Sequence, residues 1–252
     1  MRAGLVTTTL RQIKSLEEVV RIAKDAGAEC IEWGGDVHVT DVESAALAKK
    51  LCDKAGIDIC SYGSYYRVGS CNESEWLSIC EIAHVMNAKY IRVWLGREDS
   101  EKTDSETYER LLCDLKSMCA TAEKYGIAVC PECHGNTYNN NTDAFLKIRK
   151  DVGFDNFKTY FQSLYRRKEY DLDRIERTSK YIEGVHISFF EQFREQFPKY
   201  RPDYINALIK KLKEVGYNGD VMIEFSFYSY QHGVPSAVKK DILKLKDLLQ
   251  GE

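Results

Sequence analysis

Short apolar runs rich in β-branched and aromatic residues recur along the chain. Between them lie stretches whose apolar positions repeat every three to four residues. Eight of the short runs read as strands. The first four are AGLVTT around Leu5, ECIEW ending at Trp33, IDICSYG ending near Tyr62 and KYIRVWLG from Lys89. The others are GIAVCPEC ending at Cys133, NFKTYFQ ending at Gln162, YIEGVHIS ending at Ser188 and GDVMIEFS ending at Ser226. Helical spacing links Leu16, Val19, Val20, Ala23 and Ala26. It also links Leu111, Leu112, Leu115, Met118, Cys119 and Ala122, and then Leu208, Ile209, Leu212 and Val215. Four helix-to-strand junctions, DAGAECIEW, KAGIDICSY, KYGIAVCPE and EVGYNGDVM, share one pattern. A glycine just past the helix supplies a left-handed cap, and the next strand starts within a few residues.

Strand–helix alternation throughout predicts a parallel sheet. Eight units in 252 residues are about 31 residues each, the size of one βαβ step. An open doubly wound sheet would carry a phosphate-binding glycine fingerprint after its first strand. TTTLRQIK stands there instead, and neither G-x-G-x-x-G nor G-x-x-x-x-G-K-[ST] occurs in the chain. The pattern therefore predicts an α/β protein, a single (β/α)8 TIM barrel in which residues 1–252 form one domain.

Composition narrows the function classes. Hydrophobic residues are 44% and charged residues 30%, which excludes wholesale disorder. A net charge of -3 argues against binding nucleic acid through bulk electrostatics. No apolar stretch is long enough for a membrane span or a signal sequence, so no membrane partner is expected. All nine cysteines fall between Cys30 and Cys133, an odd count in a chain too large for a disulfide scaffold. Reduced, buried thiols in a cytoplasmic protein are the expectation. Cys130 and Cys133 have C-x-x-C spacing, but they close an apolar run around Pro131 and Glu132 rather than opening a helix. No second close pair exists to complete a four-cysteine zinc site.

In such a barrel the chemistry sits at the C-terminal ends of the strands. Glu32, Ser61, Tyr62, Arg92, Trp94, Glu132, His134, Gln162, His186, Ser188, Glu224 and Ser226 all fall at or near those ends. The strongest signals are Glu132 in IAVCPECH and Glu224 in VMIEF, carboxylates inside apolar strands. Each needs a cation, a proton or several hydrogen bonds once buried. GVHIS places His186 in the same way, and Gln162 ends strand six. Together Glu132, Gln162, His186 and Glu224 offer oxygen-rich ligation with one imidazole. That set suits one divalent ion, Mn²⁺ or Mg²⁺ first, with Co²⁺ or Zn²⁺ as further options. Simpler readings stay open: either glutamate as an interior salt bridge to Arg92, His186 as a satisfied core histidine, Gln162 as a structural or substrate-binding amide.

The stretches GAECIEWGGDVHV, ICSYGSYYRVG, KYIRVWLG, VCPECHGNT, YIEGVHIS and GYNGDVMIEF, in that order, resemble the xylose-isomerase-like barrel superfamily in its sugar phosphate isomerase/epimerase branch. The resemblance runs from strand two to strand eight. It implies one divalent metal held by Glu132, His186 and Glu224, with Gln162 where the family carries an aspartate. It also implies proton abstraction beside a carbonyl through a metal-stabilised enediolate, with Glu132 and Glu224 as the acid/base pair. Candidate substrate contacts are Glu32 and His38 at the rim, Tyr62 and Trp94 as walls, and His134 two residues beyond Glu132. Arg166 in SLYRRKEY and Arg194 in FFEQFREQF are candidates on the loops after strands six and seven. The expected partner is a small sugar or sugar phosphate, and a homo-oligomer is compatible with the family. Two rivals accompany this reading: a dehydratase or lyase of the same superfamily, and a non-catalytic sugar-binding barrel weakened at Gln162. A DNA-repair endonuclease of the superfamily would need more His and Asp ligands than five histidines allow.

Overall fold

A computed structural model of the chain describes residues 1–163, 168–189, 202–225 and 235–251. All eight predicted strands are present: β1 (Arg2–Val6), β2 (Cys30–Gly34), β3 (Asp58–Val68), β4 (Tyr90–Leu95), β5 (Ala128–Pro131), β6 (Thr159–Gln162), β7 (Ile182–Ser188) and β8 (Asp220–Phe225). They form one parallel sheet in the order β5-β4-β3-β2-β1-β8-β7-β6. Isolated parallel bridges, Val129 to Phe157 and Glu132 to Tyr160, join its two ends and nearly close the barrel. Around it, among the described residues, run α1 (Leu16–Ala26), α2 (Val42–Ala55), α3 (Glu73–Val85), α4 (Ser105–Glu123), α5 (Thr142–Val152), α6 (Lys168–Thr178), α7 (Pro202–Glu214) and α8 (Pro235–Gln250). The protein is a (β/α)8 TIM barrel.

Local chemistry explains the joints. Ser15, Asp41, Asp104 and Asn141 each accept a backbone N–H of the first turn of the helix they precede. Gly27 and Gly56 close α1 and α2 at φ 81° and 67°, the left-handed conformation a side chain would resist. The strands alternate between two apolar layers. Leu5, Ile31, Ile91, Val129, Val185 and Ile223 pack outward against the helices. Cys30, Cys60, Tyr90, Cys130, Tyr160 and Met222 fill the barrel interior. All nine cysteines are free thiols, and Cys71 and Cys113 are the exposed ones. No helix among the described residues is long and apolar enough to cross a membrane.

One irregularity decides what reaches the barrel mouth. Between β2 and β3 the register runs Ile31 opposite Ile59 and then Glu32 opposite Ser61. The extra residue, Cys60, is a bulge that turns Ser61 inward beside Glu32 and Tyr62 outward beside Trp33.

Candidate active site

Five charged or titratable side chains from five strands meet at the C-terminal end of the barrel: Glu32 (β2), Arg92 (β4), Glu132 (just past β5), His186 (β7) and Glu224 (β8). The first four are almost wholly buried and the Glu224 side chain is 13% exposed. Backbone anchors fix two of them. Asn139 donates its amide to the Glu132 carbonyl at 3.1 Å, and the Thr9 hydroxyl donates to the Glu224 carbonyl.

His186 is the hub. Its Nε2 lies 3.2 Å from Glu32 Oε2. Its Nδ1 points the other way, 3.1 Å from Gln162 Oε1, 3.7 Å from Glu132 Oε1 and 3.9 Å from Glu224 Oε1. Arg92 is a second hub. Its Nε lies 3.1 Å from Glu32 Oε1, and its Nη1 donates to Glu132 Oε2. That Glu132 oxygen also accepts the Trp94 indole N–H at 2.7 Å. Glu32 Oε2 accepts the Ser61 hydroxyl at 3.0 Å and the Tyr160 hydroxyl. Gly63 makes room for this network. A Cβ there would stand 2.9 Å from Arg92 Nη2 and 3.0 Å from Glu32 Oε1. Tyr65 sits near the mouth with φ 58°, a conformation that costs a non-glycine residue energy. Its ring faces Arg92 at 5.1 Å and Trp94 at 5.4 Å.

Proximity separates the protonation behaviour of the three glutamates. Burial alone would raise Glu32, yet the His186 and Arg92 charges hold it down to about 2. Burial works against Glu132 too, and the Arg92 charge with the His186 and Trp94 donors keeps it well below the usual carboxylate range. Glu224 goes the other way: burial lifts it to about 7, and the Glu132 and Glu32 charges push in the same direction. Burial disfavours the charged imidazole of His186, but the surrounding carboxylates raise it to about 10.

The donor set fits a divalent cation. Glu132, His186 and Glu224 each offer a donor atom, all within 4.8 Å of one another. Glu132 spends Oε2 on Arg92 and Trp94 and turns Oε1 toward the cluster. Gln162 brings a carbonyl oxygen to the same side of the imidazole. Glu32, behind Nε2, occupies the place of the carboxylate that commonly orients a metal-binding histidine.

The expected residues divide accordingly. Glu132, Gln162, His186 and Glu224 come together, and Trp94 adjoins them through its indole. Glu32, expected at the rim, lies inside with 0% exposure. Exposed His134 stacks on Trp94 at 5.8 Å and makes its ring hydrogen bond to the Gly135 carbonyl at 2.7 Å. Tyr62 lies in the helix-facing layer, where its hydroxyl donates to the Val39 carbonyl at 3.0 Å. His38 is buried beside Trp33, with one ring nitrogen 3.0 Å from Thr7 Oγ1 and the other 2.8 Å from the Ile13 carbonyl. Both ring nitrogens are therefore already engaged, and neither Tyr62 nor His38 joins the cluster. Arg166, Arg194 and Ser226 lie outside the described residues. Ser61 and Tyr160 join the site through Glu32, a role that strand-end position alone does not signal. Arg92 enters it as a bridge between two glutamates, where the sequence suggested one partner.

A family profile described as xylose isomerase-like TIM barrel matches residues 20–248. No curated protein matches in sequence. Among solved structures, a D-allulose 3-epimerase from Methylomonas sp. superposes with a TM-score of 0.78 at 14% identity, covering 99% of this chain and 98% of that one. A probable 3-DHS dehydratase from Bacillus anthracis gives 0.78 at 17% identity, covering 98% and 99%. D-psicose 3-epimerase from Clostridium cellulolyticum H10, with D-tagatose, gives 0.72 at 16% identity, covering 98% and 96%. At these identities the likeness is one of fold.

Proposed function

The chain belongs to the xylose isomerase-like TIM barrel family, and from that premise we propose that it is a divalent-metal-dependent isomerase or epimerase of a sugar or sugar phosphate. One observation carries the reading: Glu132, His186 and Glu224, from three separate strand ends, bring one donor atom each within 4.8 Å. Three ionisable side chains converging at a barrel mouth are costly unless they share a cation or a reaction.

Glu132, Gln162, His186 and Glu224 would hold the ion. When bound, it supplies positive charge that stabilises the oxyanion developing as a proton leaves the carbon beside a carbonyl. The protein supplies the rest. Glu32 keeps the His186 ring turned so that Nδ1 faces the donor set. Arg92 and Trp94 hold Glu132 in place and in its carboxylate form. The Glu224 carboxyl has no ion pair closer than 3.9 Å among the described residues, so it is the freer of the two glutamates to move a proton. With Glu132 and Glu224 as the acid/base pair, one takes the proton. The other returns it to the opposite face for epimerisation or to the adjacent carbon for isomerisation.

The likeness to a probable dehydratase supports a second reading. The same proton abstraction, followed by loss of a β-hydroxyl, would make the protein a dehydratase. Product analysis on ketose and polyol panels separates the two. The metal is tested by elemental analysis of purified protein with Glu224→Ala as control. A stoichiometric divalent ion that is lost in the variant is the expected result. No metal in either protein after Mn²⁺ is added would overturn the reading.

A further inference from the structure

Beyond Trp94 the barrel rim carries a charged cavity that the carboxylate cluster does not use. It lies between the chain leaving β3, the chain leaving β4 and the first turns of α4. It encloses about 300 Å³ and is lined by Arg67, Arg97 and Arg110, with Ser70, Thr103 and Thr107. Glu98 brings the lone carboxylate of the lining. Elsewhere Arg2, Arg11, Arg21, Arg92, Arg149 and Arg177 each pair with a carboxylate. Arg67, Arg97 and Arg110 have no such pair among the described residues. Burial, and the nearby Arg97 charge, lower the Arg67 guanidinium from its usual range.

Arg67 also ties this cavity to the candidate active site. Its guanidinium lies 4.2 Å from the Trp94 ring centroid, and its Nη1 donates to the Gly96 carbonyl at 2.8 Å. Trp94 in turn donates its indole N–H to Glu132. Arg67 and the Glu132 carboxylate are thus partners of the same indole. Trp94 joins the glutamate cluster to the Arg67 edge of the cavity. Guanidinium forks match a tetrahedral oxyanion in shape and charge, and hydroxyls complete its hydrogen bonds.

We propose that the cavity of Arg67, Arg97 and Arg110 binds the phosphate of a phosphorylated sugar whose carbonyl end lies at Glu132 and Glu224. This rests on the isomerase/epimerase reading and adds to it the substrate class. A free phosphate acting apart from the substrate would use the same chemistry, so the test separates the two sources.

Calorimetry at constant ionic strength measures inorganic phosphate, fructose 6-phosphate and fructose binding to the full chain and to an Arg97→Ala/Arg110→Ala variant. Both arginines are exposed, so the variant is expected to fold; circular dichroism checks this. The wild type should bind inorganic phosphate, the sugar phosphate should compete with it, and the variant should weaken both about tenfold or more. In turnover, the preference for phosphorylated over free ketose should fall by a similar factor. Phosphate binding that is absent, or unaltered in the variant, overturns the proposal. So does phosphate binding with which the sugar phosphate does not compete. Competition without turnover of either sugar supports the cavity and counts against the isomerase/epimerase reading alone.

Discussion

Glu32 Oε2 lies 3.2 Å from His186 Nε2, inside the barrel and out of contact with solvent. The contact fixes which edge of the imidazole faces the other three donors. Replacing Glu32 by Gln keeps the shape but removes the charge behind the ring. Metal affinity should fall about 10–100-fold. Competition with a fluorescent chelator measures it, and an unaltered affinity would show that His186 is oriented by something else.

Arg92 pairs with two buried carboxylates at once, Glu32 and Glu132. Arg92→Met would leave the His186 ring as the one nearby cation for both. Breaking a buried pair in this way costs about 3–5 kcal/mol. Urea unfolding of the metal-free protein should show a loss of that size. A loss well under about 1 kcal/mol, as for an exposed pair, would mean that Arg92 is not the counterion.

Gly63 of β3 lies directly against this network. A methyl group there meets Arg92 Nη2 at 2.9 Å and Glu32 Oε1 at 3.0 Å. The Arg92 side chain has little freedom to retreat, since its guanidinium is held on both sides. Gly63→Ala should therefore destabilise the fold by about 1–3 kcal/mol, the usual cost of overpacking. Thermal unfolding monitored by circular dichroism would reveal it, and an unchanged midpoint would show that the strand shifts freely.

Much of this arrangement is legible in the sequence, and the exceptions have physical causes. Eight apolar runs and the glycine junctions specify the barrel because each strand–helix step repeats the same burial problem. Glu132, His186 and Glu224 stand out because a charged group inside an apolar strand has few explanations. Tyr62 misleads because the bulge at Cys60 shifts the strand by one residue and turns it to the helix layer. His38 misleads because a loop residue on a single sequence gives no sign that both ring nitrogens are taken by Thr7 and Ile13. The double role of Arg92 and the depth of Glu32 depend on register between β2, β3 and β4, which periodicity within one strand does not report.

Gln162 provides a test by gain of function. Its Oε1 lies 3.1 Å from His186 Nδ1, on the side of the ring that faces Glu132 and Glu224. Gln162→Asp adds a charged oxygen to the donor set, and Mn²⁺ affinity should rise about tenfold or more. Titration calorimetry measures it. Unchanged or weaker binding would mean that Gln162 is not among the ligands.

Proton abstraction beside a carbonyl exchanges that hydrogen with solvent whichever product forms. Mg²⁺-loaded protein is incubated in D₂O with a panel of free and phosphorylated ketoses, and each sugar is analysed by mass spectrometry. At least one sugar should take up one solvent deuterium next to its carbonyl. The uptake should stop on chelation and in a folded Glu224→Gln variant. Stoichiometric metal and measurable sugar binding with no deuterium in any sugar would contradict proton abstraction at this site.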